Sequence, residues 1–208
     1  MGHPRGNALG IRNILCITGD SVKAGDQQDA KAVHEFESVR LLQQIQAFNN
    51  GIDPTFGELP NEKTFIFSGA AADPSCRNKR SLENRIRKKK EAGARFIQTQ
   101  MVMEKENLIE FCEKISNPLE IPVIAGVFLL KSYKNALFIN KYVPGANIPE
   151  TILNRLKDAK DPLQEGIKIA AEQAHDFINI ANGVHLMAVK AEHLIPEIIK
   201  KADLNLEY

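Results

Sequence analysis

The chain has 208 residues, 43% of them hydrophobic and 25% charged, enough for one sizeable core or two small ones. Its 27 basic and 26 acidic side chains leave a net charge of +1, which gives no global pull toward nucleic acid or an anionic membrane. No apolar run nears the ~18 residues that suggest a membrane span.

The expected setting is the cytoplasm. Residues 1–6 lack the apolar stretch of a signal peptide, and Gly2 is not followed by the Ser or Thr of a myristoylation signal. Three scattered cysteines, Cys16, Cys76 and Cys112, fit a reducing compartment rather than a disulfide framework or a zinc knuckle. The histidines show no H-E-x-x-H spacing, so no protein-bound metal is expected.

In chain order, a strand is predicted over 13–18. There Ile14, Leu15, Cys16 and Ile17 form a short apolar run that stops at Gly19-Asp20. A buried strand that ends in a glycine and a carboxylate sets a charge at the rim of a sheet, where ligands bind in α/β folds. The polar loop over 21–29 follows. Helical spacing then runs over 35–49, with Phe36, Val39, Leu41, Leu42, Ile45 and Phe48 apolar, and Asn49-Asn50-Gly51 ends it. Residues 53–63 hold prolines and acidic residues and read as a loop. A second strand is predicted over 64–68, T-F-I-F-S, running into the small residues 69–72 and then Asp73-Pro74. Small side chains at a strand exit let a flat ligand come close to the backbone.

A basic helix is predicted over 81–92, with Ser81 as N-cap and Lys88-Lys89-Lys90 in its last turn, where cations suit the helix dipole. The third strand, 95–101, reads R-F-I-Q-T-Q-M. Its alternating amides, Gln98 and Gln100, would point into a polar interior, and a buried amide there needs a partner. An amphipathic helix over 104–115 leads to a near-continuously apolar fourth strand over 121–129, as parallel strands are. Helices follow over 132–143, 149–156 and 162–180, the last two beginning near a proline. A fifth strand over 184–189 and a helix over 196–202 close the chain.

No linker or composition shift marks a second domain, so residues 1–208 are read as one. Strands separated by helices imply an α/β fold with a parallel sheet and right-handed crossovers, either a TIM-type barrel or a doubly wound sheet. No G-x-G-x-x-G follows any strand, which weakens a dinucleotide-binding reading.

The stretches I-R-N-I-L-C-I-T-G-D, A-G-A-R-F-I-Q-T-Q, I-P-V-I-A-G-V and G-V-H-L-M-A-V together resemble the last five strands of the methylenetetrahydrofolate reductase family, over nearly the whole chain. The resemblance implies a parallel TIM-barrel fold holding FAD. It implies reduction of 5,10-methylenetetrahydrofolate to 5-methyltetrahydrofolate by hydride transfer from the flavin, with NADH, NADPH or a ferredoxin-linked partner as electron donor. By the resemblance the first strand here is the family's fourth. The barrel is therefore expected to be truncated, with about five of its eight β/α units. The family's catalytic glutamate, at the end of its first strand, then has no counterpart. An open piece of this kind would expose sheet edges and suit a homo-oligomer or a complementing chain.

Residue by residue, the resemblance sets Asp20, with Gly19, beside the flavin, where a carboxylate opposes charge on the reduced ring. The other reading of Asp20 is a turn-capping loop aspartate. Gln100 matches a glutamine that contacts the pterin ring, with Thr99 its weaker neighbour; otherwise Gln100 is a satisfied interior amide. Lys89 matches a basic residue near the FAD phosphates, against a solvated helix face. Asp73, His34 and Glu35 match cofactor-side positions, and Leu156 stands where relatives carry an aromatic that stacks on substrate. Cys16, Cys112, Met101 and Met187 read as core, and His185 as a hydrogen-bonded strand histidine. Two function classes remain. One is an FAD-dependent reductase of one-carbon and methionine metabolism. The other is a catalytically incompetent family member that binds flavin or folate or serves as a subunit. A pterin-dependent methyltransferase is a weaker third, for which no catalytic set is found.

Overall fold

The structure is a computed structural model and describes residues 10–19, 37–58, 63–143 and 145–204. Its main sheet has five parallel strands with helices between them. The strands are β1 (Asn13–Cys16), β4 (Phe67–Ala72), β5 (Phe96–Met101), β6 (Val123–Phe128) and β7 (Gly183–Met187), adjacent in the order β1-β4-β5-β6-β7. A separate antiparallel pair, β2 (Ile52–Asp53) with β3 (Gly57–Glu58), lies in the segment read as a plain loop. Asp53 makes that hairpin: its Oδ1 accepts from the N–H groups of Thr55 at 2.7 Å and Phe56 at 3.2 Å.

The order decides between the two architectures left open by the sequence. Each strand of the main sheet lies beside the strand that precedes it in the chain, and the winding never reverses. A doubly wound sheet needs such a reversal; a barrel-type sheet does not.

The chain divides into two compact units, Met1–Ala71 with Glu83–Ile97, and Ala72–Leu82 with Gln98–Tyr208. In the first, β1 pairs with β4 in the register Asn13↔Phe67 to Cys16↔Ala70. The second strand thus begins three residues later than expected and runs through the small residues taken for its exit. The reason is Asn49, at the end of helix α1 (Ser38–Asn49). Its side chain takes the hydrogen bonds that residues 64–66 would otherwise give a neighbouring strand: Thr64 Oγ1 donates to its Oδ1 at 2.6 Å, Ile66 N–H to the same oxygen at 3.0 Å, and its Nδ2 donates to Ile66 O at 2.9 Å. Gly69 is required because a Cβ there would overlap the Phe96 ring, which stacks on Phe67 at 5.6 Å between centroids.

Helix α2 (Lys79–Glu91) begins two residues before the predicted Ser81 cap. Asn78 caps it instead, its Oδ1 accepting from Ser81 N–H at 2.9 Å. In the second unit, α3 (Lys105–Phe111) continues as a π-helical turn, Cys112–Ser116. Ser132 caps α4 (Tyr133–Tyr142) by accepting from Asn135 N–H. After α5 (Glu150–Asp158), Asp161 accepts from Leu163 and Gln164 N–H, both at 3.1 Å, to start α6 (Pro162–Ile178) with proline in its first turn. Helix α7 (Ile195–Lys201) comes last.

An apolar cluster of the second unit gathers Met101, Met103, Leu130, Ile139, Leu153 and Leu156. Leu156 is fully buried there, so its side chain is core and not a ligand-stacking group. Cys16, Cys112 and Met101 are buried as expected, while Met187 is half-buried.

Candidate functional site

In the first unit the chain leaves β1 through Ile17 and Thr18 into Gly19, which takes φ = +81°, a left-handed conformation that suits glycine. Thr18 Oγ1 anchors this exit to the start of α1, accepting from Ser38 N–H at 3.3 Å. Gly19 is exposed, and nothing lies within 4 Å of where its Cβ would stand. The residues expected next to it, Asp20, and in the following loop, His34 and Glu35, lie outside the described residues.

Lys89 does not stand in solvent on the face of α2. It turns inward, and its Nζ donates to the carbonyl of Ala71, at the C-terminal end of β4, at 2.6 Å. Burial lowers its pKa from 10.5, and the nearby Arg85 guanidinium lowers it further. An ammonium has three donors, so the Ala71 bond leaves two for another acceptor.

In the second unit β5 sorts its residues by face. Thr99 and Met101 are buried, whereas Gln98 and Gln100 are half-buried on the other side. Thr99 Oγ1 donates to Gln100 O at 2.7 Å and accepts from Gly126 N–H at 2.8 Å. Its hydroxyl thus bridges β5 to β6. Gln100 Oε1 accepts from Met101 N–H at 3.0 Å, which orients the carboxamide and leaves its NH₂ for another partner. Asp73 uses Oδ1 to accept from Ser75 N–H at 2.9 Å in the turn after β4, and its Oδ2 faces Gly145. Among the described residues no hydrogen bond joins Asp73 to Thr99 or Gln100.

One pair went unseen as a pair. Gln98 Nε2 and His185 Nδ1 lie 2.9 Å apart across 87 residues of sequence. The sequence shows an amide that needs a partner and a strand histidine that needs one. Only the adjacency of β6 and β7, with His185 opposite Gly126, brings the two together.

Among the described residues no group of three or more His, Cys, Asp or Glu is placed to hold a metal ion, and no helix is long and apolar enough to cross a membrane. A cavity of about 310 Å³ in the second unit lies beside Arg155, Glu172 and Gln173, and the residues that line it include none of the predicted site residues.

Parallel strands wound in one direction, with a helix between each pair and polar groups near the C-terminal strand ends, define a β/α protein of the TIM-barrel type. The family model for methylenetetrahydrofolate reductase matches residues 4–203, and the chain belongs to that family. It is 29% identical to methylenetetrahydrofolate reductase 2 of Schizosaccharomyces pombe over 94% of this chain and 32% of that protein. It is 25% identical to a probable methylenetetrahydrofolate reductase (NADPH) of Caenorhabditis elegans over 95% of this chain and 29% of that one. The chain therefore spans about a third of the length of these curated relatives. Among solved structures, an uncharacterized protein from Clostridium thermocellum, described as binding two copies of 5-methyl-5,6,7,8-tetrahydrofolic acid, is similar with a TM-score of 0.52 and 20% identity, covering 66% of this chain and 53% of that one. That likeness bears on the fold alone.

Proposed function

We propose that the chain binds a reduced folate and FAD and takes part in the cytoplasmic reduction of 5,10-methylenetetrahydrofolate to 5-methyltetrahydrofolate. The family match over residues 4–203 carries this reading. The Clostridium thermocellum protein of similar fold is described as binding a reduced folate of the same chemical class. The electron donor in this reading is NAD(P)H or a ferredoxin-linked partner.

The described residues fit a flavin dinucleotide where its phosphates need donors: Lys89 is held inward by one bond and keeps two N–H groups for an anion. FAD, when bound, supplies the electrons and the hydride that the substrate takes up. By the family resemblance Gly19 would let the backbone pass close to the flavin ring, and Asp20 would oppose negative charge on it. By the same resemblance His34 and Glu35 match positions on the adenosine side. Asp73 contributes a ribose-hydroxyl acceptor through Oδ2, since Oδ1 is taken by its turn. Gln100 binds the pterin through its free NH₂. Thr99 holds Gln100 in place from the buried face rather than touching the substrate.

The test is the visible spectrum of the purified chain with added FAD. Flavin bands that survive gel filtration, bleach with a reductant and return on adding methylenetetrahydrofolate support the reading. A colourless protein that keeps no FAD overturns it. A second reading, binding without turnover, is favoured by the sheet itself. Among the described residues it has five strands, and β1 and β7 each pair on one side only. Retained FAD with no substrate-dependent return of colour would decide for that reading.

A further inference from the structure

We propose that Gln98 and His185 form a second polar contact for the ring of the bound substrate, deeper along β5 than Gln100. This rests on the folate reading given above.

Three observations lead there. First, the pair sits on the half-buried face of the sheet, the face that also carries Gln100. Gln98 precedes Gln100 by two residues, so the two side chains lie on one side, about 7 Å apart along the strand. That separation is about the width of a fused two-ring system.

Second, the strand between them has no side chain in the way. Gly126 of β6 is the residue in register with His185, and glycine there lets Gln98 and His185 meet above it. A Cβ at Gly126 would come within 2.8 Å of the Thr99 and Gln100 carbonyl oxygens and 3.0 Å of Met187 Cε. The result is a flat floor, with half-buried Met187 and Phe128 beside it.

Third, the pair is not satisfied by itself. One hydrogen bond uses one end of the amide and one ring nitrogen. If the Gln98 NH₂ donates to Nδ1, the free groups are the Gln98 carbonyl oxygen and the His185 Nε2–H. If the amide is turned, they are the Gln98 NH₂ and an Nε2 lone pair. Either arrangement presents one donor and one acceptor. Neither spare group is a sealed atom without a partner; among the described residues Gln173 Oε1 alone has that status. A donor-acceptor pair over a flat apolar floor suits a planar heterocycle with an amide-type edge, which a pterin carries. It does not suit the charged glutamate tail of a folate.

The experiment uses the full chain and calorimetric titration with two probes: 5-methyltetrahydrofolate, and p-aminobenzoylglutamate, which lacks the ring. Gln98→Leu with His185→Leu removes both partners together, so neither is left orphaned. We expect this double variant to bind 5-methyltetrahydrofolate about 10-fold more weakly and the ringless probe unchanged, with its melting temperature held. His185→Asn, which keeps a donor and an acceptor, should recover part of the loss, and it carries the test if the double variant does not fold. Equal binding of 5-methyltetrahydrofolate by wild type and a folded variant overturns the contact and leaves the folate reading standing. Loss of both probes alike means a structural role and also overturns it. A wild-type chain that binds neither probe overturns the folate reading and the contact with it.

Discussion

Lys89 shows how one side chain ties stability to ligand chemistry. The folded protein binds its proton less tightly than the unfolded chain, because burial and Arg85 both disfavour the charge. Stability from this group is therefore present above pH 10.5 and is lost as pH falls through the lower, folded value. We expect Lys89→Met to flatten the rise in melting temperature on the alkaline side and to abolish FAD retention. A variant that keeps both the pH slope and the flavin would show that the ammonium is not the group responsible. Thr99 is the opposite case, a residue whose worth is structural. Thr99→Val removes the hydroxyl that accepts from the Gly126 N–H inside the sheet and should cost about 1–3 kcal/mol in denaturant unfolding. Thr99→Ser keeps the hydroxyl and should cost less. Equal losses would mean that the methyl group, not the bond to Gly126, carries the effect.

At the scale of elements, β4 and its approach depend on a side chain that is not in the strand. Asn49 makes three hydrogen bonds to residues 64–66, and these stop the sheet ladder from starting early. Asn49→Ala should destabilise the protein by about 2–4 kcal/mol, since it orphans backbone groups of Ile66 as well as removing bonds. Amide exchange should then speed at Ile66 ahead of β4 itself; unchanged protection there would contradict the clamp. In sequence the glycine and alanines that follow read as the strand's exit, small enough to let a flat ligand approach the backbone. They are strand because the partner side chain is large: Phe96 fills the space above Gly69. Propensity describes a residue alone, whereas a sheet position is set by what packs across from it.

At the scale of the whole molecule, β1 and β7 each have one strand neighbour among the described residues, and apolar side chains such as Ile17, Phe65 and Phe67 are exposed in the first unit. Unpaired edges and apolar surface favour association. Sedimentation velocity should show a species larger than the monomer whose population grows with protein concentration. A single monomeric species across a hundredfold range of concentration would remove the expectation of an oligomer or a complementing chain.

Much was written in the chain itself. Apolar runs bounded by glycine, proline and caps located five strands, and the phrases around Gly19, Gln100 and Gly126 carried the family, because backbone propensity and motif spacing are local properties. Tertiary structure decided the rest. It chose one-way winding over a doubly wound sheet, since neighbour order is a relation between strands. It drew Lys89 in from a run of three lysines that look alike in sequence, because the fold sets its ammonium beside the Ala71 carbonyl. It joined Gln98 to His185 across 87 residues, since a hydrogen bond depends on distance in space and a sequence records distance along the chain.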